Sequence, residues 1–186
     1  MHKLILETEL VPETCWYTNL RSILTQKNWR MLSQAVRERS GGVCPICGME
    51  TPMEELDAHE TWGYNDITHE QYLEKIVGIC DNCHMVKHIG KTNIDGLYEV
   101  AREWHAAVND VSVEESEKII ANDFQVWKER SQHDWRLLID PNVLLEYMSR
   151  DWVVSQIERL EERGVLLKWV IYYVPQEMEK VHFLYI

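Results

Sequence analysis

The sequence has no run of about eighteen apolar residues, so nothing in it resembles a membrane-spanning helix. Its first residues hold one lysine and a short apolar run, and we expect no secretory signal peptide. It also lacks internal repeats, low-complexity tracts and flexible linkers. A chain of 186 residues with these absences is predicted to be one large domain, or a smaller domain with an appendage.

Basic residues are also scarce, with 19 Lys and Arg against 31 Asp and Glu and a net charge of −12. Nucleic-acid enzymes usually gather basic side chains against phosphates. Residues 1–48 carry six basic and four acidic side chains, whereas residues 49–110 carry four and thirteen. A phosphate-facing surface would therefore use basic residues of the first segment. An acidic surface can equally suppress non-specific DNA binding or face a basic protein partner. The basic residues available for phosphate are Arg21, Lys27, Arg30, Arg37 and Arg39.

Four of the five cysteines form two matched pairs, Cys44 with Cys47 and Cys80 with Cys83. We interpret the fifth, Cys15, as a small buried apolar residue. An odd count in this spacing suits a reducing cytoplasm and a metal better than a disulfide framework. Two Cys-x-x-Cys pairs can close a tetrahedral Zn²⁺ site with all four ligands from protein. Redox-active or free cysteines are the alternative, which a second matched pair disfavours.

Histidines surround these pairs and predict a second, open metal site. His84 follows the second pair directly, and His88 comes four residues later, on the same face of a helix. His59 ends a predicted strand. An imidazole can take a proton from water while a cation neutralises charge on a scissile phosphate, as phosphodiester hydrolysis requires. In the alternative interpretation, His84 completes the zinc shell in place of a cysteine and His88 faces solvent.

The periodicity predicts an α+β fold that is mostly helical, with a zinc-stapled core and a C-terminal helix plus β-hairpin. We place a zinc domain with flanking helices at 1–132 and the appendage at 133–186. The appendage is either a winged-helix-like unit or a docking element. Its hairpin has apolar residues on both faces, so self-association, partner binding and burial within one monomer all remain possible. Helices are predicted at 26–39, 84–89, 94–108, 113–131 and 141–163, strands at 56–61 and 135–139, a strand or extended arm at 4–11, a loop around 62–69, a helical turn or loop at 70–75, and the hairpin at 165–174 and 181–186.

The order Cys-x-x-Cys, a strand bearing His, then Cys-x-x-Cys-His-x-x-x-His resembles the zinc-containing HNH endonucleases with a ββα-metal motif. The segments 15–22 (CWYTNLRS), 59–64 (HETWGY) and 80–88 (CDNCHMVKH) are similar to bacterial and phage proteins identified as HNH endonucleases. The resemblance covers roughly residues 9–135. It implies a ββα-metal core, a structural zinc on the four cysteines, His59 as general base, and His84 and His88 near a catalytic divalent ion.

The sequence departs from the HNH pattern beside the base, where Ala58 stands in place of the usual Asp or His. Either Asp57 or Glu60 substitutes as a metal ligand, or His59 is the ligand and Glu60 the base. The middle Asn of the pattern has no clear counterpart. In the loop predicted after His59, Trp62 and Tyr64 either stack on a nucleic-acid base or anchor the loop.

Two functions follow from these observations. The first is a metal-dependent endonuclease that hydrolyses DNA, or alternatively RNA, with Zn²⁺ as a structural ion and Mg²⁺ or Mn²⁺ at the histidines. The second is an HNH scaffold with weak or no cleavage that docks on another protein through its acidic surface, as a phage-encoded inhibitor or adaptor would. A zinc module of the transcription-factor type is disfavoured, because no basic recognition helix is visible.

Overall fold

The structure is a computed structural model that describes residues 4–168, and these form a mixed α/β fold rich in helix. Two helices precede a pair of strands, four helices follow it, and a further strand, two helices and a short strand end the described part. The helices are α1 (Leu20–Ile23), α2 (Gln26–Ser40), α3 (Asp81–Lys87), α4 (Ile89–Ile94), α5 (Tyr98–Asn109), α6 (Val113–Arg130), α7 (Pro141–Leu145) and α8 (Arg150–Glu162). The strands are β1 (Asp57–Asn65), β2 (Glu70–Ile79), β3 (Arg136–Ile139) and β4 (Leu166–Leu167).

The four strands form one sheet in the order β1-β2-β3-β4. Strands β1 and β2 make an antiparallel hairpin whose register shifts at a bulge between Thr61 and Trp62. Strand β3 then pairs with β2 in parallel, and β4 pairs with β3 in parallel. Only Cys80 separates the end of β2 from the start of α3, so the antiparallel hairpin leads directly into a helix.

Two apolar clusters lie on the two faces of the sheet. Ile76 and its neighbour Val77 on β2 belong to different clusters, because successive side chains of a strand point to opposite faces. The first cluster joins the sheet to α1, α2 and α8. The second joins it to the cysteine pairs, α3, α5 and α6. The cysteines are therefore built into a core rather than attached to the surface.

Residues 4–11 form an extended arm outside the sheet and not the strand that the sequence also allowed. Asn109, at the end of α5, binds the backbone of this arm through both the oxygen and the nitrogen of its side-chain amide. Farther along, Thr8 Oγ1 donates a hydrogen bond to Asp123 on α6 at 2.7 Å. The Glu9 amide then donates to the Lys87 carbonyl at 2.9 Å. These contacts carry the arm across α5 and α6 to the end of α3.

Several predicted elements are confirmed, and others are wrong. Helices α2 and α6 and strand β3 lie where the periodicity places them, whereas α5 begins at Tyr98, four residues after the predicted start at Ile94, which is the last residue of α4. The segment 70–75, predicted as a helical turn or loop, is part of β2. Residues 62–65 of the loop predicted after His59 are part of β1, whereas residues 66–69 form the turn of the hairpin. The helix predicted over 141–163 is two helices, with Ser149 capping the second. Gly90 does not end a helix but lies within α4, where a Cβ atom would approach Leu10 Cδ2 of the arm to 3.0 Å.

The boundary predicted at residue 133 does not coincide with a break in packing. Strand β3 pairs with β2, and Leu160 of α8 lies in the same apolar cluster as Leu32 of α2. Of the predicted hairpin, Leu166–Leu167 pairs in parallel with β3, and residues 169–186 lie outside the described part of the chain. Within residues 4–168, no helix is both long and apolar enough to cross a membrane.

Candidate metal centres

The first cysteine pair sits in a tight turn closed by backbone hydrogen bonds. The Cys44 amide donates to the Met49 carbonyl and the Gly48 amide donates to the Cys44 carbonyl, both at 2.9 Å. Gly48 has a φ of +76°, a left-handed conformation that glycine adopts without steric cost. The second pair straddles the start of α3, with Cys80 in the capping position. Cys83 follows in the first turn of this helix.

The four sulfur atoms lie within 4.8 Å of one another. The Sγ atoms of Cys47 and Cys80 are 3.6 Å apart. A tetrahedral zinc with bonds of about 2.3 Å requires sulfur separations of about 3.8 Å. The Trp104 indole N–H points at Cys83 Sγ from 3.5 Å, as hydrogen-bond donors to metal-bound thiolates do. The four cysteines can therefore hold a metal ion such as zinc.

The electrostatics of this cluster also suit a cation. Burial alone would raise the pKa of Cys44, but the amides of Cys47, Cys80 and Ile46 outweigh it and lower the pKa to about 7. Burial raises the pKa of Cys80 to about 11, and the nearby Cys44 thiolate adds to this shift. Burial likewise raises the pKa of Cys83. One thiolate is thus favoured and the others are disfavoured, a conflict that a divalent cation would remove.

Three histidines converge beside the cysteines. His59 comes from β1, His84 from α3, and His88 from the junction of α3 and α4. The ring centroids are 4.6 Å apart for His84 and His88, 5.0 Å for His59 and His88, and 5.4 Å for His59 and His84. One ring nitrogen from each residue lies within 4.8 Å of those from the other two. The i, i+4 spacing thus places two imidazoles opposite the strand imidazole, as the sequence predicts.

The surroundings of His84 orient its ring, and those of His88 favour a neutral ring. Asp57 Oδ2 is 2.9 Å from Nδ1 of His84, which leaves Nε2 as the free nitrogen of that ring. The hydrogen bond with His84 lowers the pKa of Asp57. His88 retains exposed surface, but desolvation of its ring and the two adjacent imidazoles lower its pKa. His84 therefore belongs to the histidine cluster, and four sulfur atoms already complete the other site.

Sequence reasoning missed Glu9, which lies on the arm and contacts His59. Its Oε2 atom is 3.0 Å from Nε2 of His59, and its Oε1 atom is 2.6 Å from the Lys87 ammonium. Burial would raise the pKa of Glu9, but the hydrogen bond with His59 and the charge of Lys87 lower it. The contact spans fifty residues of sequence, so no local motif predicts it.

Glu60 lies away from the histidines, although the sequence placed it among the catalytic residues. It is adjacent to His59 on β1, so its side chain points to the opposite face of the sheet. There it accepts hydrogen bonds from the amides of Leu20 and Arg21 at the start of α1. Burial raises the pKa of Glu60 to about 7, against the opposing effect of these donors. Its geometry is that of a helix-capping group.

The aromatic residues that follow on β1 also have a packing role. Trp62 is buried in the first apolar cluster. Tyr64 packs against the same cluster, edge-to-face with Trp135 at 5.1 Å, and the guanidinium of Arg130 covers its ring at 4.7 Å. These contacts favour the anchoring role over stacking on a nucleic-acid base. Asn65, beyond them, accepts hydrogen bonds from the amides of the turn between β1 and β2.

Comparison with protein-family models, with curated proteins and with solved structures finds no match to this chain.

Proposed function

We propose that the protein is a metal-dependent HNH-type endonuclease that hydrolyses phosphodiester bonds in DNA. The convergence of three imidazoles, where the β1–β2 hairpin meets α3, carries this proposal. A strand histidine opposite helix histidines, next to a four-cysteine site, is the arrangement that a ββα-metal core would need. The cysteine site would hold zinc and fix the start of the helix that bears His84.

Each histidine has a distinct role in this proposal. His59 is buried, and it would act as general base by taking a proton from the attacking water. His84 and His88 would hold the divalent cation, which neutralises charge growing on the phosphate and the leaving oxygen. Asp57 orients His84 from behind. Glu60 cannot serve as base, because it lies on the other face of β1.

The donor set bears on which cation would bind. Carboxylate and water ligands suit Mg²⁺ and Mn²⁺, whereas imidazole suits Zn²⁺, Ni²⁺ and related ions. Three imidazoles converge here, and the two carboxylates beside them, Asp57 and Glu9, are each hydrogen-bonded to a ring nitrogen. We therefore expect Ni²⁺, Zn²⁺ and related ions to support activity better than Mg²⁺ or Mn²⁺, the two ions expected from the sequence.

The net charge of −12 is the main difficulty for a DNA enzyme. Arg37 on α2 is close enough to Asp57 to help lower the pKa of that carboxyl. The positive charge of the basic segment thus acts on the carboxylate that contacts His84. His84 keeps 30% of its side chain exposed, so the cluster opens to solvent rather than lying in a closed pocket. An open site suits a polymeric substrate.

The test is nicking of supercoiled plasmid by the full chain with Mg²⁺, Mn²⁺, Co²⁺, Ni²⁺ or Zn²⁺. The variant His59→Ala should lose nicking by at least about 100-fold, the usual contribution of a general base. His133→Ala is the matched control, since His133 is exposed and stacks on His69 away from the cluster. Equal nicking by wild type and His59→Ala would refute the assignment. Absence of nicking with every ion would instead favour the docking scaffold.

A further inference from the structure

The N-terminal arm brings one carboxylate to the histidine cluster. Glu9 is nearly enclosed, with 13% of its side chain exposed, and His59 is more so at 3%. Between them, Oε2 and Nε2 are 3.0 Å apart. The backbone of Glu9 is also fixed, because its amide donates to the Lys87 carbonyl.

This contact decides which nitrogen of His59 carries the proton. A carboxylate paired with an ammonium only accepts hydrogen bonds, so Nε2 of His59 must be the donor. In a neutral imidazole the other nitrogen, Nδ1, then has a free lone pair. Asp57 likewise accepts a hydrogen bond from His84, but from Nδ1–H, so that Nε2 of His84 has the free lone pair. The two carboxylates thus select opposite tautomers on the two elements that face each other.

We propose that Glu9 is a positioning residue that holds His59 in the Nε2–H tautomer, so that Nδ1 faces the water or cation of the site. This inference rests on the proposed function and adds a residue from outside the hairpin and helix. Lys87, on α3, is the second side chain that binds the carboxylate of Glu9. Its ammonium is 2.6 Å from Glu9 Oε1, and its side chain is 9% exposed. Lys87 lies between the two helix histidines, so it fixes Glu9 relative to them.

The tautomer can be measured without any activity. Long-range ¹H–¹⁵N correlation spectra of the full chain, with no second divalent ion added, distinguish a protonated from an unprotonated ring nitrogen. We expect His59 to show a protonated Nε2 and an unprotonated Nδ1 in the wild type. A protonated Nδ1 would overturn the proposal. Because this measurement uses the unmodified chain, it does not depend on the folding of any variant.

The variant Glu9→Gln keeps the shape of the side chain and removes its charge. Its amide can donate as well as accept, so both tautomers of His59 should then be populated. We expect Ni²⁺ affinity at the histidines, or the nicking rate, to fall by about 10- to 100-fold, as for other groups that orient ligands from behind. The matched control is Glu7→Gln, an exposed carboxylate two residues away on the same arm.

Wild-type spectra, Ni²⁺ affinity and nicking rate retained together in Glu9→Gln would overturn the positioning role. The two proposals fail separately in this design. If no variant and no ion gives nicking, the endonuclease proposal fails, while the tautomer and Ni²⁺ affinity still decide the role of Glu9. If nicking occurs, and Glu9→Gln leaves the nicking rate, the Ni²⁺ affinity and the spectra unchanged, the endonuclease stands and the positioning role is refuted.

Discussion

Removing the side-chain amide of Asn109 should detach the arm that carries Glu9. Asn109 is 1% exposed and makes four hydrogen bonds. Its Oδ1 accepts from the amides of Ile5 at 2.7 Å and Leu6 at 3.0 Å, and its Nδ2 donates to the carbonyls of Leu6 at 2.8 Å and His105 at 3.0 Å. The variant Asn109→Ala leaves all four partners without this amide.

The size of the effect follows from which partners stay buried. Leu6 is fully buried, so its amide and its carbonyl have no ready access to water, whereas Ile5 is 59% exposed. Each buried unpaired group costs about 1–3 kcal/mol, which gives about 2–6 kcal/mol for the two groups of Leu6. A loss of 2 kcal/mol corresponds to roughly a 30-fold rise in an opening equilibrium. The arm should therefore open much more often.

Amide hydrogen exchange at Leu6 measures this opening directly. We expect exchange in Asn109→Ala to be at least about 30-fold faster than in the wild type. The control is Asn93→Ala on α4, which makes the same chemical change at an exposed site and should leave Leu6 unaffected. An exchange rate at Leu6 within about threefold of wild type in Asn109→Ala would refute the reasoning.

Three further predictions concern other buried contacts. Burial lowers the pKa of His105 below its ordinary 6.5, so on acidification the unfolded chain takes up this proton before the folded chain does, and the unfolding free energy should fall as the pH drops below 6.5. His105→Gln should make the unfolding free energy, measured by denaturant titration, depend less on pH. An equal pH dependence in the wild type and the variant would contradict this prediction. A Cβ on Gly78 would lie 2.4 Å from Ser40 Oγ, so Gly78→Ala should cost about 1–3 kcal/mol of unfolding free energy, with partial recovery in the double variant with Ser40→Ala. Glu60→Ala should cost about 1 kcal/mol through the lost cap of α1 and leave Ni²⁺ affinity unchanged, whereas weaker Ni²⁺ binding would return Glu60 to the site.

The sequence predicted both ligand clusters because each contains pairs of ligands that are three or four residues apart in the chain. Cys44 and Cys47, like Cys80 and Cys83, are brought together by one turn of chain. His84 and His88 share one helical face for the same reason. Which residue lies opposite such a pair depends on tertiary structure. His59 was predictable because imidazole is itself a common metal ligand, although it lies inside β1 and not at the strand end that the sequence predicted.

The errors arose where long-range contacts override local pattern. Strand β2 does not alternate regularly, because Glu74 is an extra residue opposite the step between Thr61 and Trp62 of β1, and Glu74 and Lys75 are both exposed. A single sequence does not reveal such a bulge, so the segment resembled a helical turn.

Glu9 shows the same limit at the site. Its position depends on the anchoring of the arm by residues about one hundred positions away. Glu60, next to His59 in sequence, lies on the far side of the sheet because strand neighbours face opposite ways.

The most direct test of the account is a count of bound metal in the wild type and in His84→Ala. Two separate sites predict one tightly held zinc per chain in both proteins, with a second, weaker ion that only the wild type binds well. If the tightly held zinc is lost in His84→Ala, that histidine belongs to the zinc shell, and the account of a separate histidine site is contradicted.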